Sequence, residues 1–122
     1  MVELGGITPI LRMFDVDKAL HFYRDYLGFQ IDWEHRFEPD LPLYMSISRD
    51  HCCLHLSEHY GDGSPGAHLR IKVMHLESWH KELLASRHPF SRPGLTRTPW
   101  CTQEMTLIDP FFNKLTFYED IS

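Results

Sequence analysis

Two short stretches alternate strictly between apolar and polar side chains, and they frame the rest of the chain. In residues 50–58, Leu54 and Leu56 fall on one side and His51, Cys53, His55 and Ser57 on the other. In residues 66–73, Leu69, Ile71 and Val73 oppose His68, Arg70 and Lys72. Successive strand side chains point to opposite faces, so each stretch predicts a strand with one core face and one polar face. Placed in one sheet, the two strands bring His55 and His68 onto a single polar face.

The same patterning extends through the chain. Residues 7–13 predict a strand, with Pro9 marking an edge or a start. Asp15 stands at an N-cap position, and Val16, Ala19, Leu20, Tyr23, Tyr26 and Leu27 follow at helical spacing until Gly28 closes the helix. Phe29, Ile31 and Trp33 alternate against Gln30, Asp32 and Glu34, which predicts a strand over 29–36. A turn with Pro39 and Pro42 follows, then a hairpin of 43–49 and 51–58 about Arg49 and Asp50. Residues 59–66, with three glycines and a proline, read as a linker. Beyond it come a strand to Val73, a helix from Leu76 to Arg87 burying Leu76, Trp79, Leu83 and Leu84, and a stretch carrying Pro89, Pro93 and Pro99. Strands over 102–108 and 114–118 end the chain, joined by a turn at 109–113.

The chain reads as a weak repeat of the pattern strand, helix, three strands, at an offset of about 60 residues. Val16 falls on Leu76, Tyr23 on Leu83, and Leu54-His55-Leu56-Ser57-Glu58 on Leu115-Thr116-Phe117-Tyr118-Glu119. The predicted fold class is α+β: two tandem βαβββ modules forming a cupped mixed sheet, within a single domain of residues 1–122. Module 1 spans about 7–58, the linker 59–66 and module 2 about 67–119. One helix per module covers one sheet face and leaves the other open, which favours pairing with a second copy as a homodimer.

Composition narrows the partners. At 122 residues, with 43% hydrophobic and 24% charged residues, the chain has the balance of one globular domain. A net charge of −5 argues against nucleic acid. No apolar run reaches the roughly 20 residues needed to span a bilayer, and the N-terminus lacks a signal-peptide pattern; a cytoplasmic location without membrane association is expected. Cys52, Cys53 and Cys101 have no metal-type spacing, and adjacent strand cysteines point apart, so reduced thiols are expected. Ser46 and Ser57 lack the glycines of a nucleophile elbow.

The run Leu11-Arg12-Met13-Phe14-Asp15-Val16-Asp17-Lys18-Ala19-Leu20-His21-Phe22-Tyr23, closing with Leu27-Gly28-Phe29, resembles the opening of the glyoxalase/bleomycin-resistance/dihydroxybiphenyl-dioxygenase (vicinal oxygen chelate) superfamily. Residues 98–110 and Asn113-Lys114-Leu115-Thr116-Phe117-Tyr118-Glu119 resemble its second module. The resemblance implies four metal-ligand positions, which fall on Thr8, His55, His68 and Thr116. Glyoxalase-like members typically carry His or Gln, Glu, His and Glu there. Threonine hydroxyls are poor ligands for a transition metal, so no cofactor is expected. A divalent ion on His55 and His68 is the alternative.

What remains is similar to the bleomycin-resistance branch, which binds its drug at a dimer interface without a metal. Trp100 matches that branch's Pro-Trp-Gly, with Cys101 in place of the glycine, and Phe111-Phe112 replaces the glycine-containing turn before Asn113. The expected ligand-binding residues are Trp33, Phe37, Tyr44 and Trp100 as flat walls, His55 and His68 as polar contacts, and Glu104 as an anionic group. Glu38, Asp40 and Glu119 are further carboxylates near the groove, and Arg12 or Arg70 is a possible partner of Glu104. The expected function is non-catalytic sequestration of a bulky, cationic, partly aromatic small molecule. A metal-dependent lyase or ring-cleaving dioxygenase is the alternative, and a structural or regulatory module without a small ligand is the third reading.

Overall fold

The computed structural model describes residues 1–86 and 92–121. The sequence-predicted helix end at Arg87 and the proline at 89 lie outside the described residues. In chain order the elements are β1 (Ile10–Arg12), α1 (Val16–Leu20) running into a π-helical segment (His21–Tyr26), β2 (Gln30–His35), β3 (Tyr44–Arg49), β4 (Cys52–Ser57), β5 (His68–Lys72), α2 (Leu76–Ala85), β6 (Thr96–Arg97), β7 (Thr102–Ile108) and β8 (Lys114–Asp120). Strand, helix, three strands recurs as expected, in an α+β fold, with β6 lying in the stretch between Pro93 and Pro99 where the sequence pattern predicts no individual strand. No helix among the described residues is long and apolar enough to cross a membrane.

The strands form two four-stranded mixed sheets, ordered β1-β4-β3-β2 and β5-β8-β7-β6. In each, the module's first strand lies parallel to its last: Ile10 pairs with His55 in one, and Arg70 with Thr116 in the other. β4 is flanked by β1 and β3 and has no free edge for β5. His55 and His68 therefore fall in separate sheets, not on the shared face that alternation suggested.

Both sheets turn their apolar faces to one core. Leu54, Leu56, Met45 and Ile47 from the first meet Met105, Leu107, Leu115 and Phe117 from the second, with Phe22, Tyr23, Leu76 and Leu83 from the helices. Burying each such large side chain contributes about 1.5–3 kcal/mol. α2 packs on β7 and β8, with Trp79 edge-on to Phe117 at 4.8 Å. Leu84 is exposed, contrary to expectation, because it lies one residue round the helix from buried Leu83.

Local rules explain most boundaries. Asp15 caps α1 through a 3.0 Å bond from the Lys18 amide. The following segment widens: the Leu27 amide reaches the Phe22 carbonyl, and Phe22, Tyr23 and Tyr26 are all buried. Gly28 then turns the chain at φ +81, where an added Cβ would sit 3.0 Å from the Arg49 guanidinium. β1 is shorter than its apolar pattern suggests. Pro9 accepts from the His55 amide but has no N–H to extend the ladder.

Asp109 ties the modules together. One carboxylate oxygen accepts from the Tyr23 hydroxyl at 2.6 Å and the Asn113 side-chain amide at 2.8 Å. The other accepts from the backbone amides of Phe111 and Asn113. The Asn113 side-chain amide also donates to the Arg12 carbonyl on β1. Burial, then the adjacent Asp109 charge, raises the Tyr23 phenol well above its ordinary range, so it remains a donor. Tyr23→Phe should destabilise the protein by about 1–2 kcal/mol in urea unfolding, and Asp109→Ala, which strands several buried donors, by on the order of 3–5 kcal/mol. An Asp109→Ala cost no larger than that of Tyr23→Phe would show that the carboxylate is not the hub.

Candidate functional site

With its apolar face buried, each sheet presents its polar side chains on the opposite face. On the first sheet a β-bulge between Ile31 and Trp33 changes what that face displays. Ile31 pairs with Ile47, yet Trp33 pairs with Ser46, so Asp32 is the extra residue. Simple alternation puts Trp33 with Ile31 and opposite Asp32. In the structure both Asp32 and Trp33 stand with the polar row of Ser46, Ser48 and His55.

Trp33 stacks on Tyr44 with ring centroids 5.8 Å apart and planes 15° from parallel. His55 meets both rings edge-on at 5.2 Å, and its Nδ1 lies 2.6 Å from the Tyr44 hydroxyl. Burial, reinforced by Asp62 and Cys53, raises the Tyr44 phenol. A protonated phenol can act as donor in this bond, which then leaves Nε2 as the ring's second hydrogen-bonding atom.

Phe37, 73% exposed, is edge-on to His35 at 4.7 Å and to His59 at 6.3 Å. Trp33, His35, Phe37, Tyr44, His59 and Asp62 line an open depression of about 440 Å³, within the usual range for small-molecule sites. The fold thus brings together Trp33, Phe37, Tyr44 and His55. It adds His35, His59 and Asp62, which sequence reasoning missed. The bulge hid His35, whose spacing of two from Trp33 is the usable signal, and the last two lie in the presumed linker.

The second sheet carries different chemistry. His68 Nε2 lies 2.8 Å from the Thr116 hydroxyl, itself 2.9 Å from that of Thr106. Trp100, Glu104, Thr96, Thr98, Thr106 and Gly94 line a depression of about 380 Å³. Glu104 accepts from Arg70 at 3.0 Å, Trp100 Nε1 at 3.2 Å and Thr102 at 2.7 Å. Arg70 first, then Thr102, hold its carboxyl below the usual glutamate range. Arg70 also lies over the Tyr118 ring at 4.4 Å. Glu104 is therefore already neutralised from within the chain. Arg12 sits over Phe14 at 5.0 Å, away from this network.

The sites expected near glycine keep glycine's backbone geometry. Cys101 has φ +64 and Phe112 φ +70, a conformation that costs an L-residue roughly 1–2 kcal/mol. Glu38 and Asp40 are exposed on the loop after β2. Glu119, expected near the groove, instead caps α2. Its two oxygens accept from the backbone amides of His75 and Leu76 at 2.9 and 3.0 Å, where His75 itself, at φ +63, provides no side-chain cap.

The four positions implied for a metal do not fit one. Thr8 is exposed, His55 is engaged by Tyr44, and His68 and Thr116 bond to each other. Two neutral hydroxyls and two partnered imidazoles are a weak donor set for a divalent ion. Among the described residues no group of three or more His, Cys, Asp and Glu side chains is arranged to hold one.

The family model described as "Glyoxalase superfamily protein" matches residues 1–122. Among curated proteins none matches the chain. Several solved structures share the fold. A member of the glyoxalase/bleomycin resistance protein/dioxygenase superfamily from Sphaerobacter thermophilus is 19% identical at a TM-score of 0.72, over 96% of this chain and 98% of that one. A bleomycin resistance determinant encoded on transposon Tn5 is 18% identical at 0.74, with coverages of 96% and 98%. A bleomycin-binding protein from Streptomyces verticillus, complexed with copper(II)-bleomycin, is 25% identical at 0.68, with coverages of 96% and 97%.

The cap on α2 gives a pH test. The His75 and Leu76 amides, in that order, lower the Glu119 carboxyl. A depressed carboxyl stabilises the fold above its unfolded value, and this contribution fades as pH falls through the folded value. Glu119→Ala should cost about 1 kcal/mol at pH 7. The gap between variant and parent urea midpoints should close as the solution is acidified below the ordinary glutamate range.

Proposed function

The chain belongs to the glyoxalase superfamily, and on that footing we propose that it is a non-catalytic binding protein which sequesters a bulky, cationic, partly aromatic small molecule. The observation that carries this reading is the shelf of Trp33 and Tyr44, backed by His55 and bordered by Phe37. Flat apolar walls with a few oriented polar groups suit a planar heteroaromatic ligand. The bleomycin-binding relative from Streptomyces verticillus, complexed with copper(II)-bleomycin, supports a ligand of that kind.

In this reading the protein acts as a homodimer. Each outer face is an open half-site of about 440 or 380 Å³, and joining the aromatic face of one copy to the Trp100 face of a second would enclose a ligand between them. Sequestration then needs stacking and charge complementarity, with no bond made or broken. The poor metal-ligand character of Thr8 and Thr116 agrees with binding in place of turnover.

Calorimetric titration with metal-free and copper-loaded bleomycin should give saturable binding, weakened about tenfold or more by Trp33→Ala and by Trp100→Ala. No heat with either form would remove the drug-binding version. One tightly held divalent ion per chain in protein purified without a histidine tag would replace the binding reading with a metal-dependent lyase or dioxygenase. Sedimentation should show a dimer at micromolar concentration, and a monomer would sink the shared groove.

A further inference from the structure

We propose that Asp32 and the exposed side of Trp33 form a subsite for a planar cation of the amidinium or guanidinium class. This deepens the reading above and rests on it. The bulge in β2 places the two consecutive side chains on one face, where a regular strand would separate them. Trp33 is 47% exposed despite stacking on Tyr44.

The Asp32 carboxylate is oriented but not neutralised. One oxygen accepts from Ser48 Oγ at 2.9 Å and from Gln30 Nε2 at 3.4 Å. The other accepts from Ser46 Oγ at 3.4 Å, and Ser46 is itself buried. Among the described residues none of the ion pairs includes Asp32. The arginines of the neighbouring strand ends are committed elsewhere. Arg36 donates to the Leu41 carbonyl at 2.7 Å and lies 3.8 Å from Glu58. Arg49 donates to the Leu27 carbonyl at 2.6 Å and sits over Trp79.

This is the reverse of Glu104 on the other sheet, whose charge is already met by Arg70. Of these two carboxylates the one without a counter-ion is therefore Asp32, which sequence reasoning did not select. Three neutral donors hold the carboxylate in place, and about four lone-pair sites on its two oxygens leave accepting capacity toward solvent. A planar cation can lie against the indole face, attracted by the ring quadrupole. One of its in-plane N–H groups can meanwhile form a charge-assisted contact with the carboxylate oxygen that accepts only from Ser46. A neutral planar amide of the same shape stacks equally well but forfeits the charge.

The test follows the Trp33 indole N–H signal of the full chain by two-dimensional NMR during titration with benzamidine and with its neutral isostere benzamide. Benzamidine should shift that signal saturably and bind about tenfold more tightly than benzamide, the gap expected for one charge-assisted pair. Added salt should weaken benzamidine alone. Asp32→Asn should bring benzamidine down to the level of benzamide. Because the two probes are compared on the unaltered protein, the test survives a variant that fails to fold. Equal binding of both probes at the Trp33 signal of the unaltered protein would overturn the Asp32 subsite and leave the stacking shelf standing. Absence of any benzamidine shift at Trp33 would overturn the subsite, and the bleomycin titration would then decide the broader reading independently.

Discussion

A buried carboxylate must have its lone pairs satisfied, and at Asp109 that requirement joins the two halves of the molecule. Its four donors come from Tyr23 in the first module and from Phe111 and Asn113 in the turn between the last two strands. Asn113 extends the network to the β1 backbone. Removing a partner from such a cluster leaves buried groups unpaired, which costs more than the bonds gain on folding. The network accordingly fixes how the modules meet, with aromatic packing of Phe14 on Phe111 alongside it.

Once the modules share a core, their remaining faces have to look outward. Each sheet spends its apolar side on the common cluster and displays its polar side to solvent. The two displays differ in kind. The first offers stacked rings, imidazoles and a carboxylate without a counter-ion, whereas the second offers threonine hydroxyls and a carboxylate–guanidinium pair bonded to an indole N–H. Similar backbones thus carry unlike chemistry, and the fold alone does not dictate function.

Strain collects around the second face. Cys101 and Phe112 adopt backbone angles that glycine occupies without cost. Phe112 is also 73% exposed, so neither local conformation nor burial rewards its side chain. The turn is held from outside the residue: Asp109 and Asn113 close it through their backbones and side chains. The same anchoring that binds the modules therefore keeps this conformation without its usual glycine.

The sequence by itself determined the order of the elements apart from the two-residue β6, the helix cap at Asp15, the stop at Gly28, the inward leucines of β4 and the repeating pattern. All of these follow from local periodicity and from the dihedral preferences of single residues. It also offered Trp33, Phe37, Tyr44 and His55 as groove residues, in one set with His68, Trp100 and Glu104 that the structure divides between two sheets. Only the tertiary structure decided that β4 has no edge left for β5, which parts His55 from His68. The bulge that aims Asp32 and Trp33 the same way, and the capture of Glu104 by Arg70 and of Glu119 by the start of α2, were likewise settled by strand register and by partners 34 or more residues apart. A period of two in the sequence carries no mark of one extra residue, and a lone carboxylate carries none of the donor that will reach it.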